Sequence, residues 1–276
     1  MTRRSKRQSS QLGGGAALVG GIALIFVALM TFGALGYFYF TAPQKPKLDR
    51  MSLCPVTGPQ GVTVVLVDTT DDLPETTQRQ VLTMLDDVIT DLPTYHKLDI
   101  RVLDIAASRS RSLFSRCNPG DGIGLSEWTD NPRIARLRWI DAFKRPAAEA
   151  LKNSLTSAKA KHSPIMAAIQ DITLDQFSSS VVEKIPKSLI VISDMLEFTP
   201  DYSQYPSAGD LSYARFRRSP AYPKFRTDLH GASVTIEYVQ RLSVKIDTFR
   251  HVEFWKEWIT DNRGTYKIAQ RLQGAG

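Results

Sequence analysis

Two aspartates closing two apolar runs are the sharpest chemical signal in this sequence. Residues 62–67 read VTVVLV and run into Asp68-Thr69-Thr70-Asp71-Asp72, while residues 189–193 read LIVIS and end on Asp194. Continuous β-branched runs of this length are what strands buried on both faces look like. In an open α/β sheet the ligand site lies beyond the carboxyl ends of the strands. Two acids gathered there are hard oxygen donors. Such donors suit a divalent cation such as Mg²⁺, which keeps bound waters and asks for octahedral oxygen.

Those groups need a scaffold, and the flanking sequence supplies one. A strand over about residues 62–68 is followed at Leu73-Pro74-Glu75 by a helix, with Val81, Leu82, Leu85, Val88, Ile89 and Leu92 at helical spacing. Residues 98–106 alternate as a second strand. A long irregular stretch follows, containing Cys117-Asn118-Pro119-Gly120 and Gly122-Ile123-Gly124. Residues 137–155 hold a helix begun near Arg145-Pro146. Ser163-Pro164 opens another, with Ile165, Ala168, Ile169 and Ile172 on one face; serine followed by proline is a helix start signal. The strand to Asp194 comes next. Residues 201–229 read as loop with a short helix, and residues 234–239 as a strand. Residues 249–260 form an amphipathic helix with Val252, Trp255 and Ile259 inward and Gly264 as its cap. This alternation predicts an α/β domain over residues 61–276: a doubly wound, mainly parallel sheet with helices on both faces.

The motif set resembles that of von Willebrand factor A domains. Asp68-Thr69-Thr70-Asp71-Asp72 is similar to the family's first metal motif, D-x-S-x-S, at a strand end. Ser163 stands in a helix-opening loop where the family has Thr or Ser, and Asp194 matches the aspartate that ends the family's fourth strand. The resemblance covers roughly residues 60–265 and implies a metal-ion-dependent adhesion site. Thr70 and Ser163 would then hold Mg²⁺ or Mn²⁺ through their hydroxyls, with Asp68 and Asp194 acting largely through bound waters. Neutral hydroxyls leave the ion under-neutralised, so it attracts an acidic residue of a protein partner. Asp72 departs from the pattern, replacing the family's last serine. It either joins the ion, making it a poorer acceptor for an acidic partner, or caps the following helix. The function expected is metal-assisted protein–protein interaction within a membrane or envelope assembly.

Two other readings stay open. A haloacid-dehalogenase-like hydrolase acting on phosphate esters also places an aspartate at a first strand end. It needs a second acid two residues on, where Thr70 stands, which leaves no evident general acid. The other reading is a scaffold whose metal site is vestigial. No P-loop, GxSxG, HExxH or dinucleotide fingerprint occurs, so no enzyme is expected. His162 reads as a solvated loop residue, because sequence neighbours rarely reach triad geometry with a serine. Residues 212–226 (SYARFRRSPAYPKFR) interleave basic and aromatic residues. A solvated helix and loop with a few packed rings is the plainer reading of that stretch than nucleic-acid or lipid binding.

The charge is unevenly placed. Of the net +7, four positives are Arg3, Arg4, Lys6 and Arg7, so the remainder is only mildly basic and nucleic acid is not expected as a partner. Residues 15–40 contain no charge and exceed the ~20 residues that span a bilayer as a helix. The apolar core is too long for a cleaved signal peptide, and no A-x-A site follows it. Residues 15–41 are therefore expected to be a retained single-pass anchor, with 1–14 a basic cytoplasmic tail and 42–60 a proline-containing stalk. The domain would lie outside the cytoplasm, in the periplasm if the anchor sits in an inner membrane. Cys54 and Cys117 lack CxxC spacing. Outside the cytosol they can pair and staple the stalk to a long loop; two separate buried thiols are the alternative.

Overall fold

The computed structural model describes residues 14–41, 45–70, 73–127, 130–155, 161–205, 211–241 and 244–272. Asp72, one of the expected ligands, lies outside the described residues. The chain forms two units, Met1–Pro46 and Lys47–Gly276. Among the described residues the first holds one helix, α1 (Gly14–Thr41), in which Val19–Thr41 has a mean hydropathy of 2.2. That stretch is long and apolar enough to cross a membrane.

The second unit is α/β. Among the described residues six strands are present: β1 (Gly61–Val67), β2 (His96–Asp104), β3 (Arg109–Cys117), β4 (Lys187–Ser193), β5 (Ser233–Val239) and β6 (Thr265–Leu272). Their order in one sheet is β3-β2-β1-β4-β5-β6. All neighbours run parallel except β3, which returns antiparallel beside β2 at one edge. The central strands alternate between two cores, as a sheet covered on both faces must. Val62, Val64 and Leu66 of β1 and Leu189 and Val191 of β4 face one core. Helices α5 (Ile165–Ile172), α6 (Tyr213–Arg217), α7 (Ala221–Lys224) and α8 (Thr248–Asp261) contribute to that core. Val65, Val67 and Ile192 face the other, with helix α2 (Glu75–Asp91) and a helical run over residues 132–154.

Several expectations need correction. The stretch expected to be irregular after β2 contains strand β3. Its Arg and Ser residues suit an edge, where charged side chains face water and block pairing with other chains. A tight turn at Ile105–Ser108 makes the return, with Ser108 at φ 48° and the Ala107 N–H donating to Asp104 Oδ1 at 3.1 Å. The helix expected to begin near Arg145-Pro146 begins at Pro132, where Asn131 caps it by accepting the Ile134 N–H. It runs as α3 (Pro132–Trp139), a π-helical turn (Ile140–Lys144) and α4 (Arg145–Ser154). The wider turn absorbs a proline that would otherwise break the helix. Gly264 is not the left-handed cap of α8, because Arg263 takes the positive φ of 57°. Glycine is needed at 264 because a Cβ there would stand 2.5 Å from Leu229 Cδ1. Strand β6, which follows, was not anticipated. Nor is all of 42–60 a free stalk. Residues 47–56 fold back on themselves, the Cys117 N–H donates to Ser52 O at 2.8 Å, and Cys54 and Cys117 form a disulfide.

Candidate functional site

The carboxyl ends of β1 and β4 meet at the top of the sheet. The Asp68 N–H donates to Ile192 O at 2.9 Å, extending the pairing of the two strands by one residue and drawing Asp68 up to Ser193. Asp68 is 7% exposed, Thr70 3%, Ser163 9% and Asp194 6%. Three hydroxyls converge on the Asp68 carboxylate. Thr70 Oγ1 donates to Oδ1 at 2.6 Å, with the Thr70 N–H beside it at 3.0 Å. Ser163 Oγ donates to Oδ2 at 3.2 Å and Ser193 Oγ donates to the same oxygen at 2.7 Å. The structure thus brings Asp68, Thr70, Ser163 and Asp194 to one rim.

Ser163 is placed by its backbone. Its N–H donates to Phe198 O at 2.9 Å and its carbonyl accepts the Phe198 N–H at 3.0 Å, pinning the loop before α5 to the loop after β4. Pro164 stands at the N-cap position of α5, which begins at Ile165, one residue later than the Ser-Pro pair implies, and no side-chain cap bond forms. The loop after β4 is also over-determined. Leu196 N–H donates to Asp194 Oδ1 at 2.9 Å and Met195 N–H donates to Ser193 Oγ at 2.8 Å. Met195 takes φ 61°, a conformation that a non-glycine residue holds only when its surroundings impose it. Trp255 Nε1 supplies part of that constraint by donating to Met195 O at 2.9 Å.

Electrostatics mark the site as short of positive charge. Burial, reinforced by the neighbouring charge of Asp68, pushes the Asp194 carboxyl up to about 8. Asp194 Oδ2 is buried without a hydrogen bond among the described residues, and its counter-charge is an ion pair with Arg241 Nε. Behind it, Glu197 is fully buried; its Oε2 accepts the Met166 N–H at 2.8 Å while Oε1 accepts nothing among the described residues. Burial pushes Glu197 up to about 8 as well. Among the described residues no three His, Cys, Asp or Glu side chains cluster as a metal-binding group. A cation here would depend on hydroxyl ligands. The donor set fits one: the buried Asp68 and Asp194 carboxylates and the Thr70 and Ser163 hydroxyls are all hard oxygen.

Three participants were not anticipated from sequence. Ser193 was visible as the residue before Asp194 but carried no pattern of its own. Glu197 and Arg241 reach the site only through the turns beyond β4 and β5. His162 is exposed as expected, and its ring lies 5.5 Å from that of Phe198, which in turn lies 5.3 Å from Tyr205. Residues 212–226 form α6 and α7, with Tyr213, Phe216 and Phe225 buried and Arg215, Arg217 and Arg218 exposed.

The strand carrying Asp194 is the fourth in sequence, and Ser163 lies in the loop that opens α5, as the motif resemblance implies. The fold is a mainly parallel, six-stranded α/β sheet. It is similar to von Willebrand factor type A from Catenulispora acidiphila, at TM-score 0.40 and 13% identity, covering 77% of this chain but only 39% of that one. It is also similar to the conserved hypothetical protein BatB from Bacteroides thetaiotaomicron, at TM-score 0.39 and 12% identity, covering 76% of this chain and 90% of that one. An aerotolerance-related membrane protein from Bacteroides fragilis matches at TM-score 0.36 and 12% identity, over 78% and 92% of the two chains. No family model and no curated protein matches the sequence.

Proposed function

We propose that this domain captures a protein partner at the rim built by Asp68, Thr70, Ser163 and Asp194, with Mg²⁺ or Mn²⁺ seated among their oxygens. The observation that carries the reading is the collar of three hydroxyls on buried Asp68, beside the buried carboxylate of Asp194. A hydroxyl that donates to a carboxylate keeps lone pairs for an ion. When bound, the ion would supply an under-neutralised positive seat for an acidic residue of the partner. Phe198 is 37% exposed and sits between His162 and Tyr205, so rings flank that seat. Aromatic groups of this kind carry much of the energy at protein interfaces. Asp72, as an added ligand, would lower the attraction for an acidic partner.

The remaining layout belongs to the same proposal. Residues 15–41 anchor the chain in the inner membrane, residues 1–14 lie on the cytoplasmic side, and the domain over 61–276 lies outside the cytoplasm. Arg3, Arg4, Lys6 and Arg7 support that orientation. The Cys54–Cys117 disulfide supports it too, since such bonds persist in oxidising compartments. The protein then works as a binding component of a membrane or envelope assembly and not as an enzyme.

Affinity capture from detergent-solubilised membranes tests the function, comparing the wild type with and without chelator. A partner that is retained with Mg²⁺ and released by chelator supports it. Capture that ignores chelator overturns the metal-assisted reading.

A further inference from the structure

Arg241 sets its guanidinium against the carboxylate pair. It lies two residues beyond Val239, the last residue of β5, and β5 pairs with β4 so that Tyr238 stands opposite Ser193. One step further along both strands brings Asp194 and the start of the loop carrying Arg241 to the same rim. Arg241 Nε forms an ion pair with Asp194 Oδ2, and the two side chains are only 24% and 6% exposed. Burial holds the guanidinium below the usual arginine value, and the nearby charge of Asp68 opposes that shift.

A guanidinium stays charged at any ordinary pH. Asp68 and Asp194 are two buried like charges, and buried carboxylates require a positive partner. Arg241 supplies one positive charge from the chain itself. A divalent ion at the same carboxylates would supply two. Both together would set like charges against each other where water screens poorly, so each disfavours the other. The stem of Arg241 is long and partly exposed, which gives the head group a route outward.

We propose that Arg241 is a tethered cation that competes with a divalent ion for Asp194, so that the ion is taken up only as the guanidinium swings out. This deepens the reading above and rests on Asp68, Thr70, Ser163 and Asp194 being a cation seat. The competition sets the affinity of the domain for metal and makes the metal-free state a closed one.

The test is calorimetric titration of Mn²⁺, and separately Mg²⁺, into the full chain in detergent after chelator stripping. Wild type, Arg241→Gln and Arg241→Lys are compared. R241Q should bind Mn²⁺ about tenfold more tightly than wild type, a usual size for coupling between two sites, while R241K stays near wild type because it keeps the charge. Equal affinity for R241Q and wild type, with clear binding in both, overturns the competition and leaves the cation seat standing. No binding by any of the three overturns both. A second measurement needs no mutant to fold. In wild-type protein labelled at arginine nitrogen, Mg²⁺ should shift the paired Nε–H resonance of Arg241 and speed its exchange with water. A resonance that does not respond while Mg²⁺ binds also overturns the competition.

Discussion

Arg116 Nη1 on β3 donates to the carbonyl of Ala142 at 2.6 Å, four residues before a proline. In an unbroken α-helix that carbonyl would accept the N–H of residue 146, which Pro146 lacks. The edge strand thus supplies a donor to that carbonyl. R116A should lower stability by about 1 kcal/mol, the usual net worth of one hydrogen bond. The loss should shrink when P146A is added, because both changes act on one carbonyl. A double-mutant cycle by chemical denaturation measures this; strictly additive effects would contradict it.

Asp68→Ala removes the acceptor shared by Thr70, Ser163 and Ser193. Under the proposed function it should abolish Mg²⁺-dependent capture and weaken Mn²⁺ binding by at least about tenfold, in keeping with loss of a carboxylate from a site of hard oxygen donors. Calorimetry and capture read the two effects. If D68A keeps full metal-dependent capture, the proposed site is wrong. A phosphatase activity in wild type that D68A eliminates would point to the hydrolase reading instead.

Glu197 and His251 give the metal-free protein opposing pH slopes. Burial pushes Glu197 up to about 8 and His251 down to about 4. Unfolded, the two groups titrate near ~4.3 and ~6.5. Folded Glu197 keeps a proton that the unfolded chain has lost, so its contribution is full at low pH and drains as pH rises toward about 8. Folded His251 refuses a proton that the unfolded chain accepts, so its contribution is lost as pH falls toward about 4. The slopes offset each other at intermediate pH, and above ~6.5 only the carboxyl slope remains. Stability in chelator should therefore fall between about pH 6.5 and 8, by roughly 1 kcal/mol per pH unit. E197Q should be less steep than wild type. Denaturant melts at four or five pH values check this, and a flat wild-type profile would refute it.

Cys54 and Cys117 are 63 residues apart, and their bond closes a ring of that length. Replacing both with serine should lower stability by roughly 4 kcal/mol on the chain-entropy treatment. Comparing the melts of wild type and the double variant, each without reductant, measures it. A change below about 1 kcal/mol would mean that the unfolded chain gains little freedom when the bond is lost.

The parts of this protein legible in its sequence are those where one force dominates. β1 and β4 are buried on both faces, so apolar character alone marks them, and their terminal aspartates place the rim. β3 and β6 lie at the sheet's two edges, where water takes one side and hydrophobic periodicity fades. β3 therefore read as irregular, and β6 went unseen. Pro146 misled because proline usually starts a helix, and only the π turn and Arg116 let it sit inside one. Thr70 and Ser163 were legible through their motif positions. Arg241 was not, because its pairing with Asp194 depends on the register of β4 against β5 and on the turn that follows.

The disulfide also governs where force would go. The ring from Cys54 to Cys117 encloses β1, α2, β2 and β3, while the chain from the N-terminal unit arrives just ahead of it. Tension arriving at Lys47 therefore divides at Cys54. One branch runs into β1, directly below Asp68; the other crosses the sulfur bridge into the edge strand. A partner held at the rim and pulled against the N-terminal helix would load two strands of the sheet in place of one. Under the proposed function, the bridge would make this domain a mechanical coupling as well as a binding surface.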